Sequence, residues 1–264
     1  MWMVLPGLVA QRVRDLINPA RDPEDQPPEP PESRDPHTVS TWLHRVLTDA
    51  YAYEREAWAL ERIARVECRL QAGVPESQRL KVELLWIPEV TAFTFPGRYV
   101  YLSRRLLERV GEDEPIAFVV AHEMAHHALG HMRGKERWMG RLAALPGGDT
   151  MALLALEAAD WFVHPEHECD ADEYALRLCA DAGYDLRACV RVMDVLQMDA
   201  LDRGNLATVC GPEPSQREID GAPGVADRVR RWVWERERGY PSLLARKERL
   251  RALAAELSRT TTTG

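Results

Sequence analysis

From Thr38 to Gln71, apolar residues recur every three or four positions, at Leu43, Val46, Leu47, Ala50, Ala57, Leu60, Ile63, Ala64 and Val66. This spacing predicts one long amphipathic helix, N-capped by Ser40 or Thr41 and stopped by Gly73 and Pro75. At Leu80 the period changes to two. Val82, Leu84, Trp86, Phe93, Phe95, Tyr99 and Tyr101 alternate with other residues, and Pro88 and Pro96-Gly97 punctuate them, which predicts two or three short strands. A short helix follows from Arg104 to Val110. Glu112-Asp113-Glu114-Pro115 then makes an acid-rich start, with proline in the first turn, for the most apolar helix of the chain, residues 115–131. Helical patterns return over Met151 to Phe162, Glu166 to Ala182 (closed by Gly183) and Leu186 to Leu201. Residues 203–224 read as a surface loop, and Val225 to Ser258 as mostly helical, interrupted at Gly239-Tyr240-Pro241. The expected fold class is therefore α+β and mainly helical, with a small β-sheet placed before the 115–131 helix.

Composition adds boundaries to that pattern. Residues 19–36 hold seven prolines and many acids, a composition that favours extended backbone and buries no core, so residues 1–36 read as an N-terminal extension and linker. Residues 37–258 form the expected domain, and residues 259–264 a disordered tail. The 42 acidic and 34 basic residues give a formal charge of −8, which repels a phosphate backbone and argues against nucleic acid as a partner. Five scattered cysteines (Cys68, Cys169, Cys179, Cys189 and Cys210) fit neither a disulfide framework nor a CxxC metal site and read as thiols in a reducing compartment. Residues 1–10 lack the charge order of a signal peptide, and no run approaches the roughly 20 apolar residues of a spanning helix. A cytoplasmic location is the expectation; membrane association is not indicated, and the oligomeric state is left open.

Candidate chemistry is concentrated in the apolar helix. His122-Glu123-Met124-Ala125-His126 places two histidines one turn apart, so both imidazoles can reach one metal ion. Glu123, about 100° around the helix, can act as base toward water on that ion. HExxH also arises by chance, but Ile116, Val119, Val120 and Leu129 flank it with apolar surface that would bury a charged cluster without use. A hydrolytic zinc site needs three protein ligands and an open position. His131 follows His126 too closely for the longer HExxHxxGxxH spacing. Glu168 and Asp172, one turn apart on the 166–182 helix, are better placed: one carboxylate can bind metal while the other accepts the far N–H of a ligand histidine. His127, His131, His164 and His167 read as surface or supporting residues, and Cys169 as a buried thiol.

Several segments together resemble the M48 zinc metallopeptidases, from Thr91 to about Leu250. Thr91-Ala92-Phe93, Pro96-Gly97 and Tyr99-Val100-Tyr101 are similar to the family's Asn-Ala-Phe and Pro-Gly-Gly segment, and Ser103 to Leu107 to the stretch that follows it. His122 to His126 with His131 resembles the family's HExxH and later histidine. Glu168 to Asp172, then Ala182-Gly183-Tyr184-Asp185, resembles its Glu-x-x-x-Asp helix and Ala-Gly-Tyr-Asp-Pro turn. The resemblance implies a gluzincin-type zinc endopeptidase holding one Zn2+ per chain on His122, His126 and Glu168. It also implies Glu123 as base, Asp172 behind the ligands, and protein or peptide substrates. Substrate is expected extended along an edge strand at Tyr99, Val100, Tyr101 and Leu102. The chain departs from the family pattern where His-Pro followed by an arginine is usual near the C-terminus: it has Tyr240-Pro241, followed by Arg246 and Arg249. A tyrosine O–H can donate the oxyanion hydrogen bond of that histidine but carries no positive charge. The alternative is a catalytically weak or inactive metal-containing binding protein that holds partners on the edge strand.

Overall fold

The computed structural model describes Thr41, His44, Arg45, Thr48 and residues 51–95, 97–133, 165–204 and 242–262. The expected 151–162 helix, the 19–36 linker, most of the 203–224 loop and Tyr240 lie outside these residues.

Helix α1 spans Ala57–Leu70 and buries Ala59, Ile63, Val66 and Leu70 along one stripe. The expected helix from 38 to 71 is interrupted at residues 51–56, which run beside the sheet. There the backbone N–H groups of Glu54 and Trp86 donate across to Leu84 and Ala52, and Tyr53 bridges Leu85. The Glu54 carboxylate accepts from the N–H groups of Arg55 and Glu56 and pairs with the buried guanidinium of Arg104. Sheet pairing and this ion pair satisfy the backbone locally and outweigh a helical period that continues on both sides.

The sheet has strands β1 (Lys81–Leu85), β2 (Ala92–Thr94) and β3 (Tyr99–Ser103), in the order β1-β3-β2. β1 runs parallel to β3, with Lys81 opposite Tyr99 and Leu85 opposite Ser103. β2 runs antiparallel, with Ala92 opposite Leu102 and Thr94 opposite Val100. This order corrects the expected edge strand: Tyr99, Val100, Tyr101 and Leu102 lie on the central strand, whose backbone groups are engaged on both sides. Among the described residues β2 is an edge. Alternation predicts which residues form strands, but strand order depends on which pairings the crossover permits, and the period does not encode that.

One sheet face, carrying Val82, Leu84, Ala92, Val100 and Leu102, joins the hydrophobic core with Ile116, Ala117, Val119 and Val120. On the other face the Phe93 and Tyr101 rings stack at 5.1 Å, and His44 stacks on Tyr99 at 3.8 Å while its Nδ1 lies 3.0 Å from Tyr101 Oη. Helix α2 (Arg104–Arg109) begins where β3 ends, with the Ser103 hydroxyl accepting from Leu106 N–H as its cap.

Helix α3 (Asp113–Ala128) is the central element. Every residue from Pro115 to His126 is buried, as expected of a helix packed on all sides. Asp113 and Glu114 occupy its positive N-terminal end, and Pro115 falls in the first turn, where its missing N–H removes no helical bond. Arg62 of α1 fixes where α3 starts: it donates to the carbonyls of Leu107, Val110 and Glu112 and pairs with Asp113 at 2.8 Å.

Helix α4 (Pro165–Asp181) crosses α3 and ends at Gly183, whose φ of +72° is the left-handed position a helix C-terminus commonly takes. Tyr184 N–H donates back to Cys179, and Arg69 of α1 binds the carbonyls of Ala182 and Gly183 while lying 3.9 Å over the Tyr184 ring. The expected 186–201 helix is two, α5 (Leu186–Val190) and α6 (Val192–Asp202), jointed at Arg191. Helix α7 spans Leu243–Thr262, so the expected disordered tail from 259 is helical through Thr262. Its stripe of Leu243, Leu250 and Ala254 continues to the partly buried Leu257, and this packing carries the helix onward.

Replacing Arg62 with methionine keeps the aliphatic bulk and removes four donated bonds. Asp113 retains 31% side-chain exposure, so the three carbonyls account for most of the expected loss. Unfolding in denaturant should show a destabilisation of about 2–4 kcal/mol.

Candidate metal centre

The crossing of α3 and α4 brings together the histidines of one helix and the carboxylates of the other. On α3, His122 and His126 are one turn apart and their Nε2 atoms lie 3.2 Å from each other. On α4, Glu168 presents Oε2 3.6 Å from His122 Nε2 and Oε1 3.6 Å from His126 Nε2. One donor atom from each of these three buried residues lies within 4.8 Å of the other two. Two imidazole nitrogens and one carboxylate form a donor set that suits zinc and related divalent ions. Three donors leave a tetrahedral ion one open position, as in sites that perform chemistry.

The surroundings orient these groups. Asp172, one turn beyond Glu168, places Oδ1 3.1 Å from His122 Nδ1. His131 places Nδ1 3.1 Å from His126 Nδ1, and its ring stacks on His167 at 3.9 Å and 6°. Both ligand-type histidines thus have a partner at the far nitrogen, which leaves Nε2 to face Glu168. Arg246 of α7, 1% exposed, completes the cluster. Its Nε and Nη2 donate to Asp172 at 2.8 and 2.7 Å, and its Nη1 donates to Glu168 Oε2 at 2.9 Å.

The electrostatics follow from this packing. Burial alone would lower the pKa of His122, but hydrogen bonds and charges from Asp172 and Glu168 hold it up, to about 9. Burial would raise both carboxylates, yet Arg246 and then His122 keep Glu168 well below and Asp172 below their usual range. His131 is pushed down to about 4 by burial and by His167, so at neutral pH its ring is uncharged and can accept from His126 Nδ1–H. Arg246 and His122 thus favour the ionised form of both carboxylates, and Asp172 and Glu168 in turn favour the charged form of His122.

The other residues singled out by sequence divide clearly. Glu123 is buried beside His122, about 100° around α3. His127 approaches Thr94 Oγ1 at 2.5 Å, which ties α3 to β2. Tyr240 and His164 lie outside the described residues. Cys169 is partly buried on α4 and free. The sequence names Arg246 only as the arginine that follows Tyr240-Pro241, without the carboxylate partners that the fold gives it. A signal existed: Leu243, Leu250 and Ala254 put position 246 on the buried face of α7, where an arginine requires carboxylate partners.

A mainly helical α+β domain here brings a buried His-His-Glu group together at a helix crossing, where it could hold a metal ion. Residues 54–254 match the model of peptidase family M48, and the chain belongs to that family. Membership indicates a metallopeptidase, with peptides or proteins as the substrate class. No curated protein matches the chain. Among the described residues, no helix is long and apolar enough to cross a membrane.

Asp172→Asn keeps the shape but removes the charge that His122 and Arg246 bind. It should lower zinc affinity 10–100-fold in competition with a chromophoric chelator, with circular dichroism unchanged.

Proposed function

We propose that this chain is a gluzincin-type zinc endopeptidase acting on unfolded or extended protein segments. The observation that supports this most directly is the buried convergence of His122, His126 and Glu168 with Glu123 on the same helix. In this reading His122, His126 and Glu168 hold one Zn2+, and Asp172 and His131 keep the two imidazoles turned toward it. When bound, zinc supplies Lewis acidity and brings the pKa of a water molecule toward neutrality.

The chain's own groups carry the remaining work. Glu123 accepts the proton of the attacking water and delivers it to the leaving amine, the two halves of general acid–base catalysis. A carboxylate next to a ligand histidine is close to both atoms without competing for the ligand position. Tyr240 donates a hydrogen bond to the oxyanion, the task its place before Pro241 assigns it in the family pattern. Substrate runs along β2. That strand is an edge among the described residues, and the Thr94–His127 contact ties it to the helix bearing the site. Backbone pairing there selects extended segments over folded ones. Residues 37–258 constitute the peptidase domain in this reading.

The test is digestion of a reduced, unfolded protein by zinc-loaded enzyme. Glu123→Gln should retain zinc and lose about 10²–10⁴-fold in rate; an undiminished rate would remove Glu123 from the mechanism. If the wild-type protein binds zinc and the unfolded chain but cleaves nothing, the alternative of a non-catalytic binding protein prevails. Tyr240→Phe should lower kcat about 10²–10³-fold with little change in KM, and an unchanged kcat would take the oxyanion role from Tyr240.

A further inference from the structure

We propose that Thr94 and His127 are positioning residues of the active site. Their contact holds the edge strand β2 against the helix that carries His122, Glu123 and His126, and the rate of bond cleavage depends on it. This inference rests on the peptidase reading above, in which substrate pairs with β2.

The hydroxyl of Thr94 stands where the pattern calls for an apolar group. Thr94 is 4% exposed and lies opposite Val100 on the core-facing side of the sheet, where Ala92 and Val100 belong to the hydrophobic core. A valine would fill the same volume without burying a polar atom. The hydroxyl instead makes two bonds. Its one proton goes to the Tyr99 carbonyl at 2.8 Å, a group that can only accept. Toward His127 the oxygen is then an acceptor, so the Nε2 atom at 2.5 Å carries the proton of that bond. The sequence of bonds from His127 through Thr94 to the Tyr99 carbonyl joins α3, β2 and β3 at one point.

The strand needs such a tie. β2 spans only Ala92–Thr94 and, among the described residues, pairs only with β3. So short an edge strand has little stability of its own, and a substrate that adds to it must find it in place. His127 lies one turn beyond Glu123 on α3, so the two share a face of that helix. The bond therefore couples the strand that aligns the substrate to the helical face that carries the base. A misplacement of about 1 Å between substrate and catalytic groups costs about 10²-fold in rate, and this is the scale on which the tie acts.

The experiment measures kcat and KM of the zinc-loaded, full-length protein on a peptide containing a bond that the wild type cleaves in a reduced, unfolded protein. Thr94→Val and His127→Phe should each lower kcat about 10–100-fold and leave KM within about threefold. Thr94→Ser and His127→Gln return an O–H or an N–H to nearly the same place and should recover most of the loss. The double variant of Thr94→Val and His127→Phe should lose no more than the worse single variant, because each change removes the same contact. Hydrogen exchange at the amides of residues 92–95 gives a readout that needs no turnover, and both single variants should accelerate it. Bound zinc should be the same in every variant.

Wild-type kcat in Thr94→Val and His127→Phe would overturn the proposal, as would fully multiplicative losses in the double variant, which would give the two residues separate roles. Loss of zinc from either single variant would also overturn it, by assigning the effect to the metal ligands. Should His127→Phe fail to fold, Thr94→Val and its recovery in Thr94→Ser decide by the same criteria. A wild type that cleaves no peptide is a different result: it removes the peptidase reading, and this inference with it.

Discussion

The structure depends on how two buried carboxylates are accommodated where α3 crosses α4. Ionised groups without water are costly unless paired and hydrogen-bonded, and here Glu168 and Asp172 are matched by two histidines from one helix and one arginine from another. The crossing must be close for these groups to meet. Ala121 and Ala125 on α3, with Ala171 and Ala175 on α4, are fully buried short side chains of the kind such an approach requires. Arg62 then sets where α3 begins, and the Gly183 turn bound by Arg69 sets where α4 ends. The register of the two helices, and with it the overlap of their ligating faces, is fixed at positions remote from the site.

Much of the site was legible in sequence because its logic is helical. His122 and His126 recur at one turn, as do Glu168 and Asp172, and periodicity alone puts each pair on one face. Which carboxylate faces the imidazole Nε2 atoms is a question of where two helices cross, and only the fold places Glu168 there and Asp172 behind His122. Arg246 is a case of the opposite kind. The family pattern puts an arginine there without saying what it touches, and its position within an apolar stripe is what marks it as buried.

Sheet order was less legible than the strands themselves. Alternation from Val82 to Tyr101 locates the strands, but pairing β3 with β1 in parallel places it in the centre and leaves β2 outside. The extended segment that the proposed mechanism needs therefore shifts from Tyr99–Leu102 to Ala92–Thr94, which lies nearer α3 through Thr94 and His127. The break at residues 51–56 has a similar origin. An amphipathic period continues on either side, but long-range contacts with Leu84, Leu85 and Arg104 decide the backbone there.

The central claim is that His122, His126 and Glu168 form one metal-holding centre. X-ray absorption at the zinc edge, on stoichiometrically loaded protein, tests it most directly. The account predicts nitrogen and oxygen neighbours only, at about 2.0–2.2 Å, with the outer-shell scattering of two imidazoles. A sulfur neighbour at about 2.3 Å would place the ion on a cysteine such as Cys169, and a shell without imidazole would place it elsewhere on the surface; either contradicts the account.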